Sequence, residues 1–386
     1  MTESIRQRCP SGTRYSLCLI AFLGVSTLAV AEEGAWKTAF VKRGFVGAAD
    51  AAWVGGTGAT LRMRTPLQFG GTKVRVFVRG AFEHGVELTT MALLKGADEQ
   101  GLITGLPVQI LFQNSQQLKI EKGLKSAVSD EIQAQVTPGT WYVDDRYASA
   151  RFPYAYEVDQ GFYEAGDAVG KERLLKSVKF RSGILYRIDV FTTDPRASIL
   201  CYGDSITHGY SSTPNADQRY PAILGKLLDR PVLNMGQNGD MVTQAMTVPG
   251  TVKDLPGVDT VIFLMGINDI VSGGRIKSAR DYAEVVKQVI SGCRSLNKKI
   301  YIGTISAAEG CPAFDKDPSK EKLRQELNAW IAGGNGATGV IDFAAAIADP
   351  EHPSKLKADC QSDWLHPNDL GYRKMAETAA KALSAK

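Results

Sequence analysis

Cysteine is sparse, at 6 in 386 residues, and no pair stands at CxxC spacing, which argues against a structural zinc site. An excess of charge of one sign is lacking too. There are 45 basic and 41 acidic residues, a net of +4, so bulk charge gives no case for nucleic-acid binding. No internal repeat, heptad seam or low-complexity tail is present. A P-loop and an HExxH helix are both missing, so neither signature calls for a metal or a nucleotide cofactor. The G-x-S-x-G elbow of α/β-hydrolases is absent as well. Beyond residue 31 no apolar run is long enough to span a bilayer. What is present suits a globular protein: 44% apolar and 22% charged residues, and a length that suggests two domains.

Residues 1–31 read as an export signal. Arg6, Arg8 and Arg14 supply the positive region, Leu17 to Val30 is apolar but short for a bilayer, and Ala29-Val30-Ala31 fits a small-x-small cleavage site. Cleavage near Ala31 would release a periplasmic or extracellular protein with no membrane attachment. Cys9 and Cys18 would leave with the signal. Of the remaining thiols, Cys201 falls in a strand and Cys293 on the apolar face of a helix, so both should be buried. Cys311 and Cys360 fall in loops, where export would let them pair.

The rest of the chain divides in two. Residues 32–193 carry short alternating stretches such as Lys73 to Arg79, with Val74, Val76 and Val78 on one face. Ile184, Tyr186, Ile188 and Val190 repeat the alternation. With turns at Gly70-Gly71 and Thr137-Pro138-Gly139, this predicts an antiparallel β-sandwich. In residues 194–386 buried apolar runs alternate with helical ones. Ser198–Tyr202, Pro231–Asn234, Thr260–Met265, Lys299–Ile305 and Gly339–Phe343 predict five parallel strands. Helices are expected over Arg280 to Leu296, after Asp317-Pro318-Ser319, and from Asp369 to Leu383, giving a doubly wound α/β domain. The link at Asp194-Pro195-Arg196 is short and lacks a Gly/Ser run, so the halves should dock.

Open α/β sheets place ligands beyond the carboxyl ends of their strands. Four such ends here carry Gly203-Asp204-Ser205-Ile206-Thr207, Asn234 to Asp240, Gly266-Ile267-Asn268-Asp269, and Asp363 to Asn368. Each residue type has a task in acyl transfer. A serine hydroxyl needs a base, which His366 can be, and Asp363 is near enough to fix the imidazole tautomer. Candidate donors to an oxyanion are the N–H groups of Ser205 and Gly239 and the side-chain amide of Asn268. Gly239, lacking a Cβ, permits close backbone approach. Gly203 and Gly236 are expected to serve tight turns, and Asp204 and Asp269 to hold loops together. Asp349 to Pro353 repeats the DxxHP pattern, but only the second copy leads into a helix, which favours His366 over His352. His84 falls in the sandwich half, and His208, just past the nucleophile, is read as a solvated loop residue, the alternative being that it lines the cleft. Tyr210 and Trp364 either wall the pocket or simply pack.

In these four blocks, GDSIT, NMGQNGD, GIND and DWLHPN, the chain resembles the SGNH, or GDSL-type, esterase and lipase superfamily over about residues 197–386. The resemblance implies a flavodoxin-like three-layer α/β/α hydrolase domain. It makes Ser205 the nucleophile, Asp363 and His366 its triad partners, and Gly239 and Asn268, with Ser205, the oxyanion hole. The front half is similar to the jelly-roll-like β-sandwich that precedes this domain in some secreted, polysaccharide-active members. The activity so implied is removal of acetyl or other short acyl groups from polysaccharide or oligosaccharide. The alternatives are a lipase or arylesterase acting on small or lipid esters, and an idle carbohydrate-binding protein on the same fold. The sandwich, which holds none of the four blocks, is then either a wall of the substrate cleft or a stabilising cap.

Overall fold

The computed structural model describes residues 33–43, 47–50, 58–80, 85–123, 125–148, 151–154, 157–178 and 183–385. The expected export signal, with Cys9 and Cys18, and His84 lie outside these. Gly34–Lys386 forms one compact unit.

The front half is antiparallel. One sheet runs Ala35–Val41, Leu185–Thr192, Gly71–Arg79, Ser126–Val128, with Ile132–Val136 also paired to Gly71–Arg79. The other runs Lys176–Val178, Gly161–Ala165, Ala59–Arg64, Trp141–Tyr147, Val86–Gly96, Ile103–Gln109, with Leu118–Ile120 on Val86–Gly96. Val74, Val76 and Val78 are buried between them with Leu61, Met91 and Val143. The alternation expected through Tyr186 breaks at one point. Leu185 opposes Val78 and Arg187 opposes Phe77, so the strand carries an extra residue, as in a β-bulge. Ile184, Leu185, Ile188 and Val190 go inward, while Tyr186 is only half-buried, edge-on to Phe77. On the opposite face of the second sheet, against the loops at Gly101 and Glu172, lies a buried ion pair: Arg62 donates to both oxygens of Asp144, at 2.7 and 2.8 Å, with neither side chain exposed.

From Ser198 the sheet is parallel, ordered Val232–Gly236, Ser198–Gly203, Val258–Leu264, Lys299–Gly303, Gly339–Ile341. The order reverses beside the first strand, the topological switch where such sheets bind ligands. Helix Ala279–Ser295 forms because Ser278 caps it, accepting from the Asp281 N–H at 3.2 Å, and because Tyr282, Val286, Val289, Ile290 and Cys293 make one buried stripe. It packs with Val248–Asp254 and Ser319–Ala332. Helix Asp369–Ser384, capped by Asn368, packs with Tyr220–Leu228. The result is a flavodoxin-like α/β/α domain preceded by an all-β sandwich. No helix among the described residues is long and apolar enough to cross a membrane.

The halves are bonded along their contact. Lys37 donates to the Arg196 carbonyl at 2.7 Å, Thr38 N–H to the Pro256 carbonyl at 2.9 Å, and Arg187 to the Asp254 carbonyl at 2.6 Å. Arg64 grips both oxygens of Asp217 at 2.9 and 2.8 Å. The Cys311–Cys360 pairing that export would allow does not occur. Both are buried free thiols, Cys311 at the start of a short helix and Cys360 beneath Gly371 of the last one.

Candidate active site

Ser205 opens a four-residue helix immediately after the first parallel strand. The turn is tight because Gly203 and Gly236 have no side chains. A Cβ on Gly203 would lie 2.4 Å from the Leu264 carbonyl, and one on Gly236 would lie 2.0 Å from the His208 nitrogen. These glycines thus serve the tight turn, as expected, through close packing and without a positive φ. Asp204 caps the helix, accepting from Ile206 N–H at 3.0 Å. Burial pushes its carboxyl up to about 7, against that hydrogen bond and with Asp240 and Asp269 adding to the rise.

Ser205 Oγ lies 2.9 Å from His366 Nε2, and His366 Nδ1 lies 2.8 Å from Asp363 Oδ2. A carboxylate can only accept, so Nδ1 carries the proton and Nε2 is left to accept from the serine hydroxyl. Asp363 is itself fixed: its Oδ1 accepts the N–H of His366 at 2.7 Å and of Leu365 at 3.1 Å. Trp364 makes that turn possible by taking a left-handed conformation, φ 61°. Burial works to raise the Asp363 carboxyl, but the bonds from the His366 ring and backbone outweigh it and hold it below the usual carboxylate range. The Tyr210 ring lies 4.5 Å from the imidazole, centre to centre, so Tyr210 borders the site. His352 sits in an exposed turn at Asp349, apart from this relay.

The second and third blocks are tied to each other. Asn268 Nδ2 donates to the Asp240 carbonyl at 2.9 Å, one of two N–H groups that the amide possesses. Asp269 accepts the Val242 N–H at 2.8 Å and so holds the loops together as expected. Gly239 is exposed at φ 78°, and a Cβ there would meet nothing within 4 Å. The left-handed backbone, and not close approach within the protein, is what calls for glycine here.

His208 departs from its reading as a solvated residue. It is buried, shares a 2.8 Å hydrogen bond with the Asn238 side chain, and donates through Nε2 to Glu157 at 3.3 Å. Glu157 also pairs with Lys42 at 3.1 Å. Burial alone would raise the Glu157 carboxyl, yet Lys42 and His208 bring it down to about 2. Arg43 pairs with Asp240 and lies over the Tyr202 ring at 4.4 Å. Burial raises Asp240 to about 6 against the pull of Arg43. Nothing in the spacing of Arg43 or Glu157 marks them, since the bonds exist only once the halves meet. A cavity of about 390 Å³ adjoins this contact, lined by Lys42, Arg64, Glu157, His208, Arg219 and Gly236 among others, but Ser205, Asp363 and His366 are not in its wall. Among the described residues no three His, Cys, Asp or Glu side chains are grouped to hold a metal.

A parallel sheet whose strand ends bring a serine, a histidine and a carboxylate into one hydrogen-bonded line defines a hydrolase-type domain. Residues 201–374 match the GDSL-like lipase/acylhydrolase family, which marks this part of the chain as a domain of the SGNH/GDSL type. Similar solved structures include a lipolytic G-D-S-L family protein of Veillonella parvula at 22% identity, covering 49% of this chain and 99% of that one, with a TM-score of 0.39. An aryl esterase of M. smegmatis is 18% identical, covering 48% and 97%, TM-score 0.40. A carbohydrate acetylesterase of Sinorhizobium meliloti is 14% identical, covering 48% and 97%, TM-score 0.39. Among curated proteins no sequence match is found.

Proposed function

We propose that this is an exported serine ester hydrolase that removes acetyl or other short acyl groups from polysaccharide. The observation that supports it best is the line Ser205 Oγ, His366 Nε2, His366 Nδ1, Asp363 Oδ2, with steps of 2.9 and 2.8 Å. Ser205 attacks the ester carbonyl while His366 takes its proton. The carbonyl oxygen becomes an oxyanion that the N–H groups of Ser205 and Gly239 and the Asn268 amide receive. The intermediate collapses, the sugar oxygen leaves with the proton from His366, and an acyl-enzyme remains on Ser205. Water then attacks with His366 as base, releasing the acid and restoring the serine. Asp363 keeps the imidazole in the required tautomer throughout. No step needs a metal or cofactor.

The test is acetate release from a panel of acetylated polysaccharides, alongside 4-nitrophenyl esters of increasing chain length. Turnover should favour acetyl over long-chain esters. Ser205→Ala should lower kcat at least about a thousandfold, and serine-directed phosphonates should label Ser205. An alanine variant with substantial activity would overturn the mechanism. Preference for long-chain esters, with no acetate released from any polysaccharide, would overturn the substrate assignment.

A further inference from the structure

Gly239 is the least supported of the candidate oxyanion donors. It is exposed and has no side chain to anchor it. Its two neighbours, however, are each held from the sandwich. Asn238 is bonded to His208, and His208 to Glu157, itself paired with Lys42. On the other side Asp240 is paired with Arg43, and the Asp240 carbonyl receives Asn268. The side chains in both ion pairs are at most 17% exposed, so salt and solvent screen them little. The two chains of contact therefore end on either side of Gly239, and one of them continues to Asn268.

We propose that Arg43 and Glu157 are positioning residues of the sandwich that aim Gly239 and Asn268. The sandwich is then part of the catalytic unit for every ester, small or polymeric, and more than a substrate wall or a cap. The proposal rests on the ester-hydrolase reading above. Oxyanion donors act only if they are aimed before charge develops, and a misplacement of about 1 Å costs on the order of a hundredfold. Because the charge appears in the transition state, loss of aim falls on kcat and leaves KM nearly unchanged.

The experiment uses the full-length protein and 4-nitrophenyl acetate, with a thermal melt on each variant and mass-spectrometric phosphonate labelling of Ser205. Arg43→Ala and Glu157→Ala should each lower kcat by about ten- to a hundredfold with KM within about twofold. Glu157→Gln keeps an acceptor for His208, and Arg43→Lys keeps a cation beside Asp240, so both should regain part of the loss. Arg187→Ala cuts a different bond between the halves, to the Asp254 carbonyl, and should keep the wild-type kcat even if it melts lower. Should Glu157→Ala fail to fold, Asn238→Ala decides, because it cuts the same chain at its half-buried end without stranding a buried charge. Its loss should again be in kcat. Folded variants with wild-type kcat, or with losses confined to KM, would overturn the positioning role and leave the esterase reading standing. A wild-type protein with neither turnover nor labelling would overturn both.

Discussion

Replacing Asp363 by asparagine tests the site through one proton. Among the described residues the Asp363 carboxylate makes three bonds, and they are not equivalent: Oδ1 accepts two backbone N–H groups, at 2.7 and 3.1 Å, while Oδ2 accepts His366 Nδ1, at 2.8 Å. In Asp363→Asn the amide oxygen must take the Oδ1 position, because an NH₂ there would face two donors. That flip would forfeit two hydrogen bonds of about 1 kcal/mol each, before any repulsion. The NH₂ is thus forced toward Nδ1, which must become an acceptor. The ring proton moves to Nε2, which then donates to Ser205 Oγ where it should accept. The serine keeps its position 2.9 Å away and loses its base. The expected loss is about 10⁴ in kcat, near 5 kcal/mol of transition-state free energy, with KM little changed. Asp363→Ala imposes no wrong tautomer and should lose less. Initial rates on 4-nitrophenyl acetate, with thermal melts to show that both variants fold, make the comparison. An asparagine variant retaining a tenth of wild-type kcat, or exceeding the alanine variant, would refute the tautomer argument.

Asn268→Ala, read by the same assay, should cost about a hundredfold in kcat with little change in KM, whereas a pure KM effect would make it a substrate contact. Gly236→Ala should fail to give folded protein, since its Cβ would lie 2.0 Å from the His208 backbone nitrogen. Gly239→Ala should fold with a loss of only about 1 kcal/mol for its left-handed backbone, as thermal melts can show. Asp144→Ala strands the unexposed Arg62 and should destabilise by about 3–5 kcal/mol in urea titrations. Stability should follow two opposed trends with pH, read as urea midpoints. Glu157, held down at about 2, contributes stability that is complete above the ordinary glutamate range and lost as pH falls toward 2. Asp204, raised to about 7, binds a proton on folding, so its contribution falls as pH climbs from about 4 to 7. Asp204→Asn should reduce that second decline while keeping the helix cap, the remainder belonging to Asp145 and Asp240, raised by burial to about 7 and about 6, and a midpoint that still falls equally would refute the assignment.

The five parallel strands and three long helices were legible because their signals are local. Continuous apolar runs mark strands covered on both faces, and Ser278 and Asn368 sit where a helix start needs a capping side chain. The four blocks were legible for a related reason: an open parallel sheet delivers successive strand ends to one edge, so chain order alone predicts that Ser205, Gly239, Asn268 and His366 share it. The bulge opposite Phe77 escaped, since alternation in sequence does not reveal an extra residue in one strand of a pair. His208 was misread for a similar reason. Its burial comes from Glu157, fifty-one positions earlier, and from Asn238, thirty positions later. Cys311 and Cys360 are free thiols, because an expected place in loops says nothing of the separation and orientation that a disulfide requires. The sequence by itself determined the layers, the strand ends and the chemical types set on them, since periodicity and capping act within a few residues. Only the tertiary structure decided the 2.9 Å approach of His366 to Ser205, and that Arg43 meets Asp240 while Glu157 meets His208. Such ion pairs and hydrogen bonds depend on separations of a few ångströms between segments that the chain does not bring together until it packs.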